Sequence, residues 1–268
     1  MTASCWRIVL PLLLAVCVLP GGACGPGSRD ADEVVVFAAA SLRDAMEELG
    51  SQFEEETRIK VLFNIAGSNV LAQQIVATPR ADLFLSASQR WMDTVEEAGR
   101  LVAGTRRSVL SNRLVVIAHP QSAVTLNDPC ALGALDFKYL ALGDPDAVPA
   151  GQYARTWLAS RTCGGQSLWQ ALEGRIAPTP DVRAALILVL ADPGLVGIVY
   201  KTDWLVFAGQ ARLLYEVPVE EGPAIRYVLA QIAESPNPDG ARRFLDYLTK
   251  APAREVFERH GFTPLAAD

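Results

Sequence analysis

Residues 33–53, EVVVFAAASLRDAMEELGSQF, carry two periodicities back to back. After Glu33 the chain is apolar without a break to Ala40, the pattern of a strand buried on both faces. Ala45, Met46, Leu49 and Phe53 then recur at the spacing of an amphipathic helix. Ser41 stands between the two, where a hydroxyl can cap the helix start. Strand, serine turn and helix together are the repeating unit of a parallel α/β sheet.

The unit recurs downstream. Lys60–Ile65 reads as a strand, Ala66-Gly67-Ser68 as a turn, and Asn69–Ala77 as a helix. Asp82–Ser86 and Trp91–Ala98 form a third strand and helix. Thr105–Asn112 is polar, and Arg113–His119 reads as a strand after it. Further strands are expected at Tyr139–Leu142, Gly197–Tyr200 and Ile225–Ile232. Helices are expected at Ala150–Ser160, Leu168–Glu173, Asp181–Ala191, Pro238–Thr249 and Ala251–His260. The pattern is enough for two α/β lobes, with no repeat or long linker after residue 32.

The chain has 268 residues, 50% hydrophobic and 20% charged, with a formal net charge of −6. That balance, without a Lys/Arg run, argues against nucleic acid as a partner. It also means that an anionic ligand has to be held by local donors against the overall field. Arg7, the apolar run Ile8–Leu19 and the small residues Gly21-Gly22-Ala23 read as a secretory signal peptide over residues 1–23. Gly22-Ala23-Cys24 is similar to a lipoprotein cleavage site, which makes Cys24 the candidate lipid anchor; ordinary cleavage after Ala23 is the alternative. Residues 24–32 are then a flexible tether, and the mature protein is expected in the periplasm or at the outer face of a bacterial membrane. Cys130 and Cys163 remain as an isolated pair in an oxidising compartment, the candidate disulfide.

Four helix starts share a chemistry. Ser41 follows three alanines, Ser68 follows Ala66-Gly67, Ala150 follows Pro149, and Val182 follows Pro180-Asp181. The first turn of a helix leaves N–H groups without intrahelical acceptors, and the dipole there favours negative charge. Small residues ahead of the turn let an anion approach the backbone. A serine there can donate to an anion while its lone pairs cap an N–H. Taken singly, each start is an ordinary cap.

Several blocks resemble one family. They are Val36-Phe37-Ala38-Ala39-Ala40-Ser41-Leu42, Ala66-Gly67-Ser68, Ala81-Asp82-Leu83-Phe84-Leu85-Ser86-Ala87, the run from Gly143 to Ala154, Gly197-Ile198-Val199-Tyr200 and Gly261-Phe262-Thr263. In order and spacing they are similar to the periplasmic molybdate-binding proteins of ABC importers. The resemblance implies a two-lobed type II periplasmic binding protein, each lobe a mainly parallel sheet flanked by helices, with the ligand in the cleft. It implies a discontinuous first lobe, residues 33–111 and 224–268, and a second lobe, 112–223. It also implies a site in which Ser41, Ser68 and Tyr200 donate hydroxyls and Ala150 and Val182 donate backbone amides. Molybdenum is then held only as its oxyanion molybdate, with tungstate as the alternative ligand and no cofactor. The expected role is capture by a monomer and delivery to an ABC importer permease, without catalysis.

Other readings are weaker. A binding protein for sulfate or another oxyanion shares most of the same logic. A serine hydrolase built on Ser41 lacks a Gly-x-Ser-x-Gly setting and a matched histidine. Asp82 and Asp144 read as turn or hinge carboxylates, because their charge opposes an anion. His119 and His260 stand apart without cysteine neighbours, which disfavours a metal site. Trp91, Trp157 and Trp169 read as helix-face core residues.

Overall fold

The computed structural model describes residues 33–266. The expected signal peptide, the tether, Cys24 and the last two residues lie outside the described residues. The first lobe starts with β1 (Glu33–Ala39), α1 (Arg43–Thr57), β2 (Lys60–Ala66), α2 (Ser68–Ala77), β3 (Leu83–Ser86), α3 (Gln89–Glu97) and β4 (Arg107–Ser111). The chain then builds β5 (Leu114–Ala118), β6 (Tyr139–Gly143), α4 (Pro149–Ser160), β7 (Thr162–Cys163), β8 (Gln166–Ser167) and α5 (Leu168–Leu172). The same part continues with β9 (Ile176–Thr179), α6 (Val182–Ala191), β10 (Leu195–Tyr200), α7 (Lys201–Val206) and β11 (Arg212–Glu216). The chain then returns to the first lobe with β12 (Tyr227–Gln231), α8 (Pro238–Leu248), α9 (Ala251–Arg259) and β13 (Thr263–Pro264).

Two sheets result, ordered β13-β4-β12-β3-β1-β2 and β11-β5-β10-β6-β9. The chain passes from the first to the second between Ser111 and Leu114, and returns between Glu216 and Tyr227. Parallel pairing holds for β2, β1 and β3 and for β9, β6 and β10. The remaining pairs are antiparallel, so both sheets are mixed rather than mainly parallel. The cause is topological. Strands entered from the other lobe are not bound to the helical crossover that a parallel neighbour needs.

The unbroken apolar run of β1 follows from its two covered faces. Val34, Val36 and Ala38 join Met46, Leu49 and Phe53 of α1 in one core. Val35 and Phe37 face Leu71 and Ile75 of α2 and Met92 of α3 in another. β10, the centre of the second sheet, is buried along its whole length. Cys130 and Cys163 are joined as a disulfide, with Cα atoms 5.5 Å apart.

Elements beyond the expected set are β4, β9, α7 and β11 and the two-residue strands β7, β8 and β13. β4 (RSVLS) and β11 (RLLYE) lack a clean alternation, and β9 carries Pro178. β9 and β11 are edge strands, where polar residues and a missing N–H are tolerated.

One close approach sets the start of α4. A Cβ on Gly151 would stand 1.8 Å from the Gly143 carbonyl oxygen at the end of β6. Only glycine lets the first turn of α4 sit against that strand end. Gly151→Ala is therefore expected to cost about 1–3 kcal/mol of stability, the range for forced overpacking, in urea denaturation. An unchanged midpoint would show that the turn can move aside.

Candidate functional site

Ser41, Ser68, Ala150, Val182 and Tyr200 all line one small cavity between the two sheets. Its wall is completed by small or apolar residues such as Ala39, Gly67, Ala87 and Pro149 and by Asp181, whose carboxylate accepts from the Ala184 N–H; no lysine or arginine lines it. Ser68 and Tyr200 are at most 1% exposed, so the polar groups in this wall have little access to water.

Each polar group has a separate origin in the chain. Ser68 opens α2 behind Gly67, Ala150 follows Pro149 at the start of α4, and Val182 opens α6 behind Asp181. In α6 the Asp181 carboxylate accepts from the Ala184 N–H (2.9 Å), and its carbonyl accepts from Ala185 N–H (3.3 Å). The Val182 N–H precedes both and has no intrahelical acceptor. Three helix starts thus bring backbone donors and the positive ends of their dipoles to the wall.

The serines differ from the capping role expected for them. Ser41 lies inside a short 3-10 turn, Ala40–Leu42, and caps nothing. Its Oγ instead pairs with the Tyr227 hydroxyl at 2.8 Å. Ser68 is the first residue of α2 rather than its cap, and its Oγ accepts from the Ala87 N–H at 3.0 Å. A lone pair on Ser68 is therefore occupied by another segment, which leaves its hydrogen free to turn to the cavity. Tyr200 is different again. Its hydroxyl is buried and has no hydrogen-bond partner among the described residues. Burial pushes its phenol far above the ordinary value, so it stays a protonated donor.

The lobes also meet directly. Trp91 Nε1 donates to the Ala147 carbonyl at 2.8 Å. Trp91 is thus a cross-lobe donor, not simply a core residue. Arg183 of α6 pairs with Asp44 of α1 and with Asp203 of α7. Gly67 permits the approach, because a Cβ there would stand 3.0 Å from the Pro180 carbonyl oxygen. Burial pulls against the Arg183 charge, but Asp203 and Asp44 hold its guanidinium above the ordinary value.

The other singled-out residues take structural roles. Asp82 accepts from Val35 N–H (2.6 Å) and Ser235 Oγ (2.7 Å), tying β1 to the loop before α8. Asp144 accepts from Asp146 N–H at 2.9 Å and closes a turn. His119 Nδ1 accepts from Gln121 N–H at 3.1 Å, and His260 pairs with Glu48 at 2.8 Å; neither partners a cavity serine. No cluster of three or more metal-ligating side chains occurs among the described residues. No helix among them is long and apolar enough to cross a membrane.

Two lobes closed on a small cavity lined with donors define a cleft-type binding protein for a small ligand. A family model described as bacterial extracellular solute-binding protein matches residues 34–263, and the chain belongs to that family. It is 36% identical over 256 residues to the molybdate-binding protein ModA of Escherichia coli (strain K12), covering 94% of this chain and 96% of the relative. ModA of Haemophilus influenzae is 35% identical over 235 residues, covering 86% of this chain and 90% of the relative. The structure of the Azotobacter vinelandii periplasmic molybdate-binding protein superposes with a TM-score of 0.75 at 18% identity. It covers 87% of this chain and 100% of that one, a likeness of fold.

Asp203 gives the site a measurable pH signature. It is fully buried, and burial pushes its carboxyl from 3.8 up to about 6 despite Arg183. The folded protein then holds this proton more tightly than the unfolded chain. The group's stabilising contribution is full below pH ~4 and is lost as pH rises to ~6. Between pH ~4 and ~7, Asp203→Asn should gain about 2–3 kcal/mol on the unmodified protein in unfolding free energy. A pH-independent difference would contradict the raised value.

Proposed function

We propose that this protein captures molybdate, and tungstate with it, outside the cytoplasmic membrane and hands it to an ABC importer permease. The observation that carries the reading is the Tyr200 hydroxyl, a buried donor that lacks an acceptor among the described residues and belongs to a residue lining the cavity. An unsatisfied buried hydroxyl costs about 1–3 kcal/mol, which an anion oxygen would relieve. The two serine hydroxyls and the Ala150 and Val182 amides supply further donors around the same space. Hydrogen bonds to a charged acceptor contribute about 1.5–3 kcal/mol each, so a handful suffices without a lysine or arginine.

Donors alone fit a fully deprotonated tetrahedral dianion and disfavour one that must place an O–H against them. Amides fixed by helix starts cannot follow shorter metal–oxygen or sulfur–oxygen bonds, which separates molybdate and tungstate from sulfate. The lobe boundaries that go with this reading are 33–111 with 224–268, and 112–223. The reading is of binding by a monomer, without cofactor or catalysis. Lipid attachment at Cys24 would tether the protein beside its permease.

Calorimetric titration of the unmodified protein and of Tyr200→Phe tests this. Micromolar or tighter binding of molybdate is expected, with sulfate at least tenfold weaker. Tyr200→Phe should weaken molybdate by roughly 10- to 100-fold, the worth of one bond to a charged acceptor. Its melting temperature without ligand should not fall, because the lost hydroxyl has no partner among the described residues. Equal affinity for sulfate, or an unchanged affinity in Tyr200→Phe, would contradict the proposal.

A further inference from the structure

Tyr227 opens β12 and is fully buried, its ring 6.0 Å from that of Tyr200 and edge-on to Phe262 at 5.3 Å. It lies outside the cavity lining, yet its hydroxyl meets both Ser41 Oγ at 2.8 Å and Asn112 Nδ2 at 3.1 Å. Asn112 sits on the first passage between the lobes, between β4 and β5. Its Oδ1 accepts from the Arg113 N–H at 2.8 Å, which settles which end of the amide is oxygen. The other end is an NH₂ that can only donate. It gives one hydrogen to Thr202 Oγ1 at 2.9 Å and one to Tyr227.

The direction of the remaining bond follows. The Tyr227 oxygen already accepts from Asn112, and its own hydrogen needs an acceptor in a fully buried setting. Ser41 Oγ is the acceptor within reach. If Ser41 donated instead, the phenol hydrogen would be stranded. Ser41 Oγ therefore accepts from Tyr227, and its own hydrogen is left for the cavity that it lines.

We propose that Tyr227, oriented by Asn112, is a positioning residue that locks Ser41 as an obligate donor and so selects fully deprotonated oxyanions over those carrying an O–H. The inference rests on the oxyanion reading of the site. Without the lock, Ser41 could turn its lone pair inward and accept from a hydrogenphosphate hydroxyl. The same chain of bonds links the site to the interlobe passage, because Asn112 also holds Thr202 of α7.

A double-mutant cycle measured by calorimetry with sodium molybdate and sodium phosphate tests it. The proteins are the unmodified chain, Ser41→Ala, Tyr227→Phe and the double variant, each checked for folding by melting without ligand. Tyr227→Phe is expected to weaken molybdate about tenfold, and to weaken phosphate less, narrowing the gap between them. In the Ser41→Ala background the same change should alter molybdate affinity less than about twofold, because its route is gone. An equal loss in both backgrounds would make Tyr227 merely structural, and no loss in the native background would remove its role; either overturns the inference alone. Failure of the unmodified protein to bind molybdate overturns the oxyanion reading and this inference together. Should Tyr227→Phe not fold, Asn112→Asp replaces it in the cycle. It removes the amide donor while keeping the phenol, and the same dependence on Ser41 is expected.

Discussion

A doubly charged anion buried in an acidic protein, with no cation in the wall, can be held only if fixed neutral donors meet its oxygens. On the proposed reading, most of the construction around the cavity answers to that constraint. Hydroxyls and amides are weak partners when they must first be oriented, and good ones when they already point the right way. The orientation is set by other parts of the chain. Ser68 is fixed by the Ala87 N–H, Ser41 by Tyr227, and the amides by the helices that they open.

The fold makes this convergence possible. The first lobe delivers its donors at the ends of β1 and β2, and the second lobe at the starts of α4 and α6 and the end of β10. Close approach of the two depends on glycines at a few points. Gly151 lets α4 rest on the end of β6, and Gly67 lets α2 approach Pro180 of the other lobe. Arg183, the cation nearest in sequence to Val182, is occupied by Asp44 and Asp203 across the cleft. Its charge joins the lobes and does not line the ligand space, so closure and ligand chemistry are carried by different groups.

Much of this was legible in the residues, and the gaps have physical causes. β1 and α1 could be read from sequence because a strand covered on both faces and an amphipathic helix leave opposite periodicities. Ser41, Ser68, Ala150, Val182 and Tyr200 could be named through the resemblance, and they are found around one cavity. Periodicity does not report convergence, so the helix starts alone could not have shown it. The capping role expected for the two serines failed because their partners are distant in sequence; Tyr227 is 186 residues from Ser41. Tyr227 and Asn112 carry no local signal, since a tyrosine in an apolar strand reads as core and an asparagine before a strand reads as a turn. The Arg183 bridge was equally hidden, with Asp44 lying 139 residues away. Edge strands β9 and β11 escaped because an edge relaxes the patterning that makes a central strand visible.

Salt dependence of molybdate affinity tests the neutral-donor account most directly. Exposed cationic sites lose affinity as ions screen them, whereas a buried site of hydroxyls and amides does not. With net charge −6, screening also relieves the protein's own repulsion of the anion. Calorimetry between about 20 and 200 mM sodium chloride, a range over which the screening length falls roughly threefold, should give a molybdate Kd that stays level or tightens slightly. A tenfold weakening over that range would mean that cationic side chains, not neutral donors, hold the ligand.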